Sequence, residues 1–326
     1  MFAVYAESIN PADPLSGLVL GEQPEPEDHP GYSVQDGWTT VEVKAASLNH
    51  HDLWSLKGVG ITEDRMPMIL GCDGAGLDRD GNPVIIYPVV ASGNYDDITQ
   101  DPSRSILSEI HPGIFADRVG IPAKNLVPIP DGWSFAEAAC LPTAWLTAYR
   151  MLAVRSGLRP GNTVLVQGAG GGVATACIAL ARAMGFRVWA TSRSEEKRQR
   201  ALEIGAHAVF ASGERLPEKV DAVMETVGEA TWDHSLRSLR PGGTIVISGA
   251  TSGSNPPADL SRVFFLQLSV VGSTMGTLGE LHELVGLCNA TGVRPIIDRE
   301  FDKTDARAAF EELERGTQFG KLILNF

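Results

Sequence analysis

The chain has 326 residues, 43% of them hydrophobic, and a formal net charge of −13. That length accommodates two domains with separate cores, and the acidic balance without any basic block excludes nucleic acid and anionic membrane surfaces as partners. The start Met1-Phe2-Ala3-Val4-Tyr5-Ala6 lacks signal-peptide character, no apolar run nears the ~20 residues of a membrane span, and Cys72, Cys140, Cys177 and Cys288 are scattered like reduced thiols, so a cytoplasmic protein is expected.

The first third reads as β-rich. Leu18-Val19-Leu20 and the alternating Val41-Glu42-Val43-Lys44-Ala45 predict half-buried strands, with a Pro-rich loop from Pro24 to Pro30 between them. Leu48-Asn49-His50-His51-Asp52-Leu53-Trp54 follows directly, then Ile69 to Gly76, a turn at Asp80-Gly81-Asn82 and a strand at Val84 to Tyr87. Ser92 to Ser108 is polar and reads as an exposed loop. Leu126 to Pro130 closes this part. Trp133 to Leu152 reads as helical, with Ser134 as its N-cap.

Val164-Leu165-Val166 is then a short buried strand running into Gly168-Ala169-Gly170-Gly171-Gly172-Val173-Ala174, a small-residue helix to Met184 and a second strand, Phe186 to Ala190. Strand, glycine-rich turn, helix and strand at this spacing form a βαβ dinucleotide-binding unit, with the pyrophosphate at the helix N-terminus. Two registers are open. In Gly168-x-Gly170-x-x-Val173 the third position is branched; in Gly168-x-x-Gly171-x-x-Ala174 it is small and packs better. Units that bind NAD usually carry an acid about 20 residues past the glycines. Here Ser192 and Arg193 stand at the strand end, with Lys197 one turn on, so a hydroxyl and two cations would meet a ribose phosphate. The expected cofactor is NADP(H). Glu195 and Glu196 suit the first turn of the next helix.

Further strands at Ala222 to Met224, Thr244 to Ile247 and Leu268 to Val271 alternate with helices at Glu195 to Ile204, Trp232 to Leu239 and Leu278 to Ala290. Such alternation means a doubly wound parallel sheet. A helix at Asp305 to Glu314 and a strand at Lys321 to Asn325 end the chain.

Ala45-Ala46-Ser47-Leu48-Asn49, Leu70 to Gly76, Gly113-x-x-Ala116 before Asn125 to Pro128, Ala138-Ala139 through Thr147-Ala148-Tyr149, the glycine turn and Gly320-Lys321 together resemble the medium-chain dehydrogenases/reductases. The resemblance is to their zinc-free branch, which includes quinone oxidoreductases and zeta-crystallin. It implies a GroES-like β-rich catalytic domain (1–130 and 277–326) and a Rossmann domain (131–276). Zinc-dependent relatives place a Cys at Asn49, a His-Glu pair at Cys72-Asp73 and a third ligand near Thr143. One thiol and no histidine there do not make the usual three-ligand site, and Tyr87 to Ala116 lacks the four cysteines of the structural zinc lobe. No metal is expected, although a rival set from Cys72, Asp73 and His50 or His51 is conceivable.

The implied chemistry is hydride delivery to a quinone or an α,β-unsaturated carbonyl, followed by one proton. By resemblance the cleft lies between the domains, with Asn49, His51, Tyr87 and Thr143 as candidates to line it. His51 is the candidate proton donor, and a water is the alternative. Thr147 would sit beside the nicotinamide, His50 and Lys321 near the cofactor phosphates, and Gly168, Gly171, Gly172, Val173 and Gly249 against the nucleotide. Asn49 and Tyr87 have bland alternatives, a local turn and a strand anchor. Relatives also imply a homodimer through the edge strand Leu268 to Ser273. Two other classes stay open: an NADPH-binding protein without turnover, and an alcohol dehydrogenase with an atypical metal site.

Overall fold

The computed structural model describes residues 1–27 and 37–326, so the Pro24–Pro30 loop falls partly outside the described residues. The chain forms two compact units: Met1–Thr143 with Thr277–Gly286 and Ile297–Phe326, and Ala144–Gly276 with Leu287–Ile296.

The first unit is built on the strand Trp38–Ser47, whose alternating apolar residues face a core. It pairs antiparallel with Gly74–Leu77, with Arg118–Pro122 and with the C-terminal strand Lys321–Asn325. That last strand runs parallel to Ile297–Asp302, so the last two strands of the chain join a sheet built mainly from its first 130 residues. Phe115 and Phe310, both fully buried, meet edge to face with ring centroids 6.1 Å apart. Gly71 makes room for them: its φ is +92°, and a Cβ there would lie 2.2 Å from the Phe115 ring.

The second unit carries six parallel strands in the spatial order Ala208–Ala211, Arg187–Ser192, Thr163–Val166, Val220–Glu225, Leu239–Ile247, Ser269–Gly272. This 3-2-1-4-5-6 order is the Rossmann arrangement, in which nucleotides bind outside the strand C-termini where the order reverses. The parallel strands are Val/Ile/Ala-rich because both faces are covered.

Three segments differ from the sequence reading. Trp133–Leu152 is not one regular helix. Ser134 caps Phe135–Ala139 in a capping box with Glu137, but π-helical turns follow at Leu141–Trp145 and Arg150–Arg155. Pro142 explains the first of these, since it offers no N–H and its ring crowds the carbonyl four residues back. The Ser92–Ser108 segment is ordered rather than a bare loop: buried Asp101 accepts from Ser103 N and Ser92 N at 2.8 and 3.1 Å, and Ser105–Ile106 pairs with Val89–Val90. A short helix, Leu260–Phe265, was not foreseen.

Phe310→Ala should destabilise the first unit by about 3–5 kcal/mol, as for other buried aromatics cut to alanine. Urea unfolding of the full chain measures it, and a loss below about 1 kcal/mol would show that the Phe115–Phe310 contact is not a core element.

Candidate functional site

The polar centre of the first unit follows from strand register. Ile323 lies opposite Ser47, and Leu48 N donates to Leu322 O at 3.0 Å. The side chain of Lys321 therefore reaches the turn just after the Trp38–Ser47 strand. Ser47 N donates to Asp73 O at 3.0 Å, which brings Cys72-Asp73 to the same turn.

Here the side chains interlock. Lys321 Nζ donates to Asn49 Oδ1 at 2.6 Å and to Leu48 O at 2.7 Å, and stands 3.5 Å from Asp73 Oδ2. Asn49 Nδ2 donates to Asp73 Oδ2 at 2.8 Å and lies 3.7 Å from Cys72 Sγ, which in turn is 3.6 Å from Thr143 Oγ1. Asp52, Cys72 and Asp73 are fully buried. Burial pushes the Asp73 carboxyl up, against the pull of Lys321, Thr143 and Asn49. Burial also drives the Cys72 thiol well above its ordinary range, reinforced by Asp52 and Asp73, so it is no thiolate nucleophile.

His51 stands on the first turn of the helix His50–Leu56, whose Asp52 accepts from Asn49 N at 2.7 Å. Its Nε2 is 3.3 Å from Glu109 Oε1, while its Nδ1 is buried and has no hydrogen-bond partner among the described residues. Burial works against ionisation of Glu109, but the His51 contact and the Ile106 N–H outweigh it and hold the carboxyl below its usual range. His50 is lowered by burial and by Lys321 and Lys57, so it favours the neutral imidazole rather than the cation expected near a phosphate.

Lys321 is also placed differently from the sequence expectation. It is 3% exposed and its ammonium is held inside the first unit, so it is not a free phosphate-binding cation. Tyr87 is buried, and its backbone is tied to Asn125: Tyr87 N donates to Asn125 O at 2.9 Å and Asn125 Nδ2 to Tyr87 O at 2.9 Å.

The set Asn49, Cys72, Asp73 and Thr143 does not fit a catalytic zinc ion. The Asn49 amide points its N–H groups toward the would-be ligands and gives its oxygen to Lys321, a fixed cation already beside the carboxylate. His51, Asp52 and Cys72 do bring one ligand atom each within 4.8 Å of one another. One His51 nitrogen is engaged by Glu109, and Asp52 already accepts from Asn49 N at 2.7 Å. Two of the three side chains thus have other partners within the unit.

In the second unit Gly171 caps the helix Gly172–Ala183. Gly168 and Gly170 have φ of +71° and +140°, whereas Gly171 does not need glycine for its backbone and would meet nothing within 4 Å. The turn thus uses glycines of both registers, two for conformation and one that leaves open space. Val173 is partly exposed and Ala174 is buried, the small residue against the sheet. Gln167 and Thr191 fix the turn from below: Thr191 Oγ1 donates to Gln167 Oε1 at 2.6 Å and accepts from Gly168 N at 3.3 Å.

Ser192 is buried at the strand end and Arg193 is exposed. Lys197 folds over Gly170, its Cδ 2.8 Å from where a Cβ would be, which sets its stem on the glycine turn. Arg198, which the sequence reading did not single out, donates to Ser192 O at 2.8 Å and holds the strand end in place. Thr147 is buried in the short helix Leu146–Tyr149 and Gly249 follows the fifth parallel strand.

A family model described as zinc-binding dehydrogenase matches residues 172–290, and one described as alcohol dehydrogenase GroES-like domain matches residues 35–131. A zinc-type alcohol dehydrogenase-like protein of Schizosaccharomyces pombe is 30% identical over 96% of this chain and 97% of its own length. The chain belongs to the medium-chain dehydrogenase/reductase family. An acryloyl-coenzyme A reductase of Sulfurisphaera tokodaii is 27% identical, covering 95% of this chain and 97% of that protein. The solved structure of an NAD-dependent alcohol dehydrogenase superposes with a TM-score of 0.91 at 30% identity, covering both chains fully. This family member is an oxidoreductase with a nicotinamide-cofactor-binding fold. No helix among the described residues is long and apolar enough to cross a membrane.

Asp52 gives the site a pH signature. Burial pushes its carboxyl up to about 6 in the folded chain, against an ordinary value of 3.8. Between those values the folded state keeps a proton that the unfolded state has lost, so stability falls as pH rises through that window. The loss is about 3 kcal/mol, two units at ~1.4 kcal/mol each. Asp52→Asn should abolish this slope, so that the two stability curves diverge from about pH 4 to 6 and run parallel above. Denaturant titrations across that range test it; curves parallel throughout would place the Asp52 pKa near its ordinary value.

Proposed function

We propose that the protein is an NADPH-dependent reductase of an α,β-unsaturated carbonyl or quinone, working without zinc. The carrying observation is the interlocked Asn49–Asp73–Lys321 centre, which fills the region where a zinc-dependent relative would hold its metal, with the unpartnered His51 Nδ1 beside it. Bound NADPH supplies a hydride to the electron-poor carbon of the acceptor. Charge then gathers on a conjugated oxygen, where one hydrogen-bond donor suffices in place of a Lewis acid. His51 provides that donor through an imidazole N–H. A relative named for acryloyl-coenzyme A reduction supports an activated double bond as the acceptor.

His51→Ala should lower kcat by about 100-fold with little change in NADPH affinity, the usual scale for loss of a general acid. Turnover of methyl vinyl ketone, acryloyl-coenzyme A and a benzoquinone with NADPH measures it; unchanged kcat on an active acceptor would remove His51 from the mechanism.

Preference for NADPH rests on Ser192, Arg193 and Lys197. Arg193 is exposed at the strand end, where its planar fork can take the ribose phosphate, and Lys197 lies over the glycine turn. Arg193→Ala should weaken NADPH binding about tenfold or more and leave NADH nearly unchanged. Calorimetric titration of both cofactors decides this, since equal weakening of the two would show that Arg193 does not read the phosphate.

The protein is also proposed to form a two-fold dimer. Ser269–Gly272 is an edge strand of the six-stranded sheet, and the preceding helix leaves Phe264 and Phe265 71% and 78% exposed. An unpaired edge beside exposed aromatics favours pairing with a second copy. Light scattering at micromolar concentration should give twice the chain mass; a monomer would contradict the assignment.

A further inference from the structure

The sequence around His51 does not point to Glu109, which lies 58 residues on, yet the fold brings the two together. Three observations show that the contact is built. The Glu109 carboxylate is docked at both oxygens: Oε1 lies 3.3 Å from His51 Nε2, and Oε2 accepts from Ile106 N at 3.1 Å. Its segment is anchored on both sides, with Leu107 N donating to Pro88 O at 3.0 Å, Ser108 N to His111 O at 2.8 Å and Gly113 N to Ile69 O at 2.8 Å. Ser108 has a φ of +74° to make that turn, a conformation that costs a non-glycine residue and persists only when its surroundings enforce it. Finally, Gly60, at a φ of +83°, leaves the space that the carboxylate occupies: a Cβ there would stand 2.9 Å from Oε1.

An imidazole has two nitrogens, and Glu109 takes one of them. A carboxylate can only accept, so Nε2 must carry the proton. In the neutral ring this leaves the lone pair on Nδ1, the atom that is buried and unpartnered. In the imidazolium, Nδ1 carries the proton to be given away.

We propose that Glu109 is the positioning residue for His51, fixing its ring orientation and its tautomer so that Nδ1 alone is left to serve as proton donor. This rests on the reading of His51 as proton donor. In the step it serves, hydride from NADPH forms a C–H bond at the electron-poor carbon and the π electrons move onto the conjugated oxygen. The Nδ1–H bond of the imidazolium then breaks and an O–H bond forms. NADPH is oxidised, the acceptor is reduced, and the neutral ring keeps Nε2–H on Glu109 until water returns a proton to Nδ1.

Two measurements on the full chain test this. The first needs no turnover: nitrogen-detected NMR of cofactor-free protein labelled at histidine, with His51→Ala assigning the signal. The wild type should show the Nε2–H tautomer of His51, and Glu109→Ala should convert it to a mixture. A tautomer unaffected by Glu109→Ala overturns the proposal, whether or not an acceptor has been found. The second is a double-mutant cycle in steady state with NADPH and methyl vinyl ketone or acryloyl-coenzyme A. Glu109→Gln should lower kcat about tenfold or more with KM for NADPH unchanged, and should add nothing in the His51→Ala background. Equal losses in both backgrounds would mean that Glu109 acts elsewhere, and the proposal fails while His51 keeps its role. If His51→Ala leaves kcat intact, the proton-donor reading fails, and the service of Glu109 to it fails with it.

Discussion

One buried ammonium organises the catalytic unit. The C-terminal strand delivers Lys321 across the sheet to the turn at Leu48-Asn49, where it meets a backbone carbonyl, an amide oxygen and the carboxylate of Asp73. A lone carboxylate as deeply buried as Asp73 would be costly, and the cation offsets that cost only because strand register fixes it in place. The same contacts orient Asn49, which aims its N–H groups at Asp73 and Cys72, and so determine what the centre can hold. A permanent cation and an amide donor leave no pocket of negative lone pairs for a divalent ion. The proposed chemistry follows from this: an acceptor reduced without a Lewis acid would have to spread its own charge, with a proton at hand.

The sequence made much of the nucleotide unit legible because its signals are local. Strand, glycine turn and helix are contiguous, and the last strand runs from Lys321 to Asn325 as its apolar pattern implies. Ser134 and Glu137 three residues apart mark a helix start, and the structure shows the reciprocal cap. Local signals also misled: Trp133 to Leu152 looks uniformly helical in composition, but Pro142 near its middle turns it through π-helical geometry. The helix Leu260–Phe265 was missed because its apolar residues form no buried stripe; most of them face outward.

The site was legible as a list but not as a network. Asn49, His51 and Thr143 could be named from their positions, whereas their partners lie far along the chain. Lys321 is 272 residues from Asn49, and Glu109 is 58 from His51. Lys321 is expected near the cofactor phosphates only through the family resemblance; strand pairing shows that it points inward. The glycine turn presents the same lesson on a smaller scale. Two registers compete in the sequence, and backbone dihedrals show that Gly168 and Gly170 meet a conformational need while Gly171 leaves space.

The central claim is that the Lys321-centred network replaces a catalytic metal, and metal content together with chelator response tests it most directly. Protein purified with NADPH-oxidising activity on an enone or enoyl thioester should carry well under about 0.2 equivalents of zinc or other transition metal per chain and should keep its full rate after prolonged chelation, since structural and catalytic sites otherwise hold their ion at full stoichiometry. One equivalent of tightly held metal, with activity lost on its removal and restored by adding it back, would contradict the account.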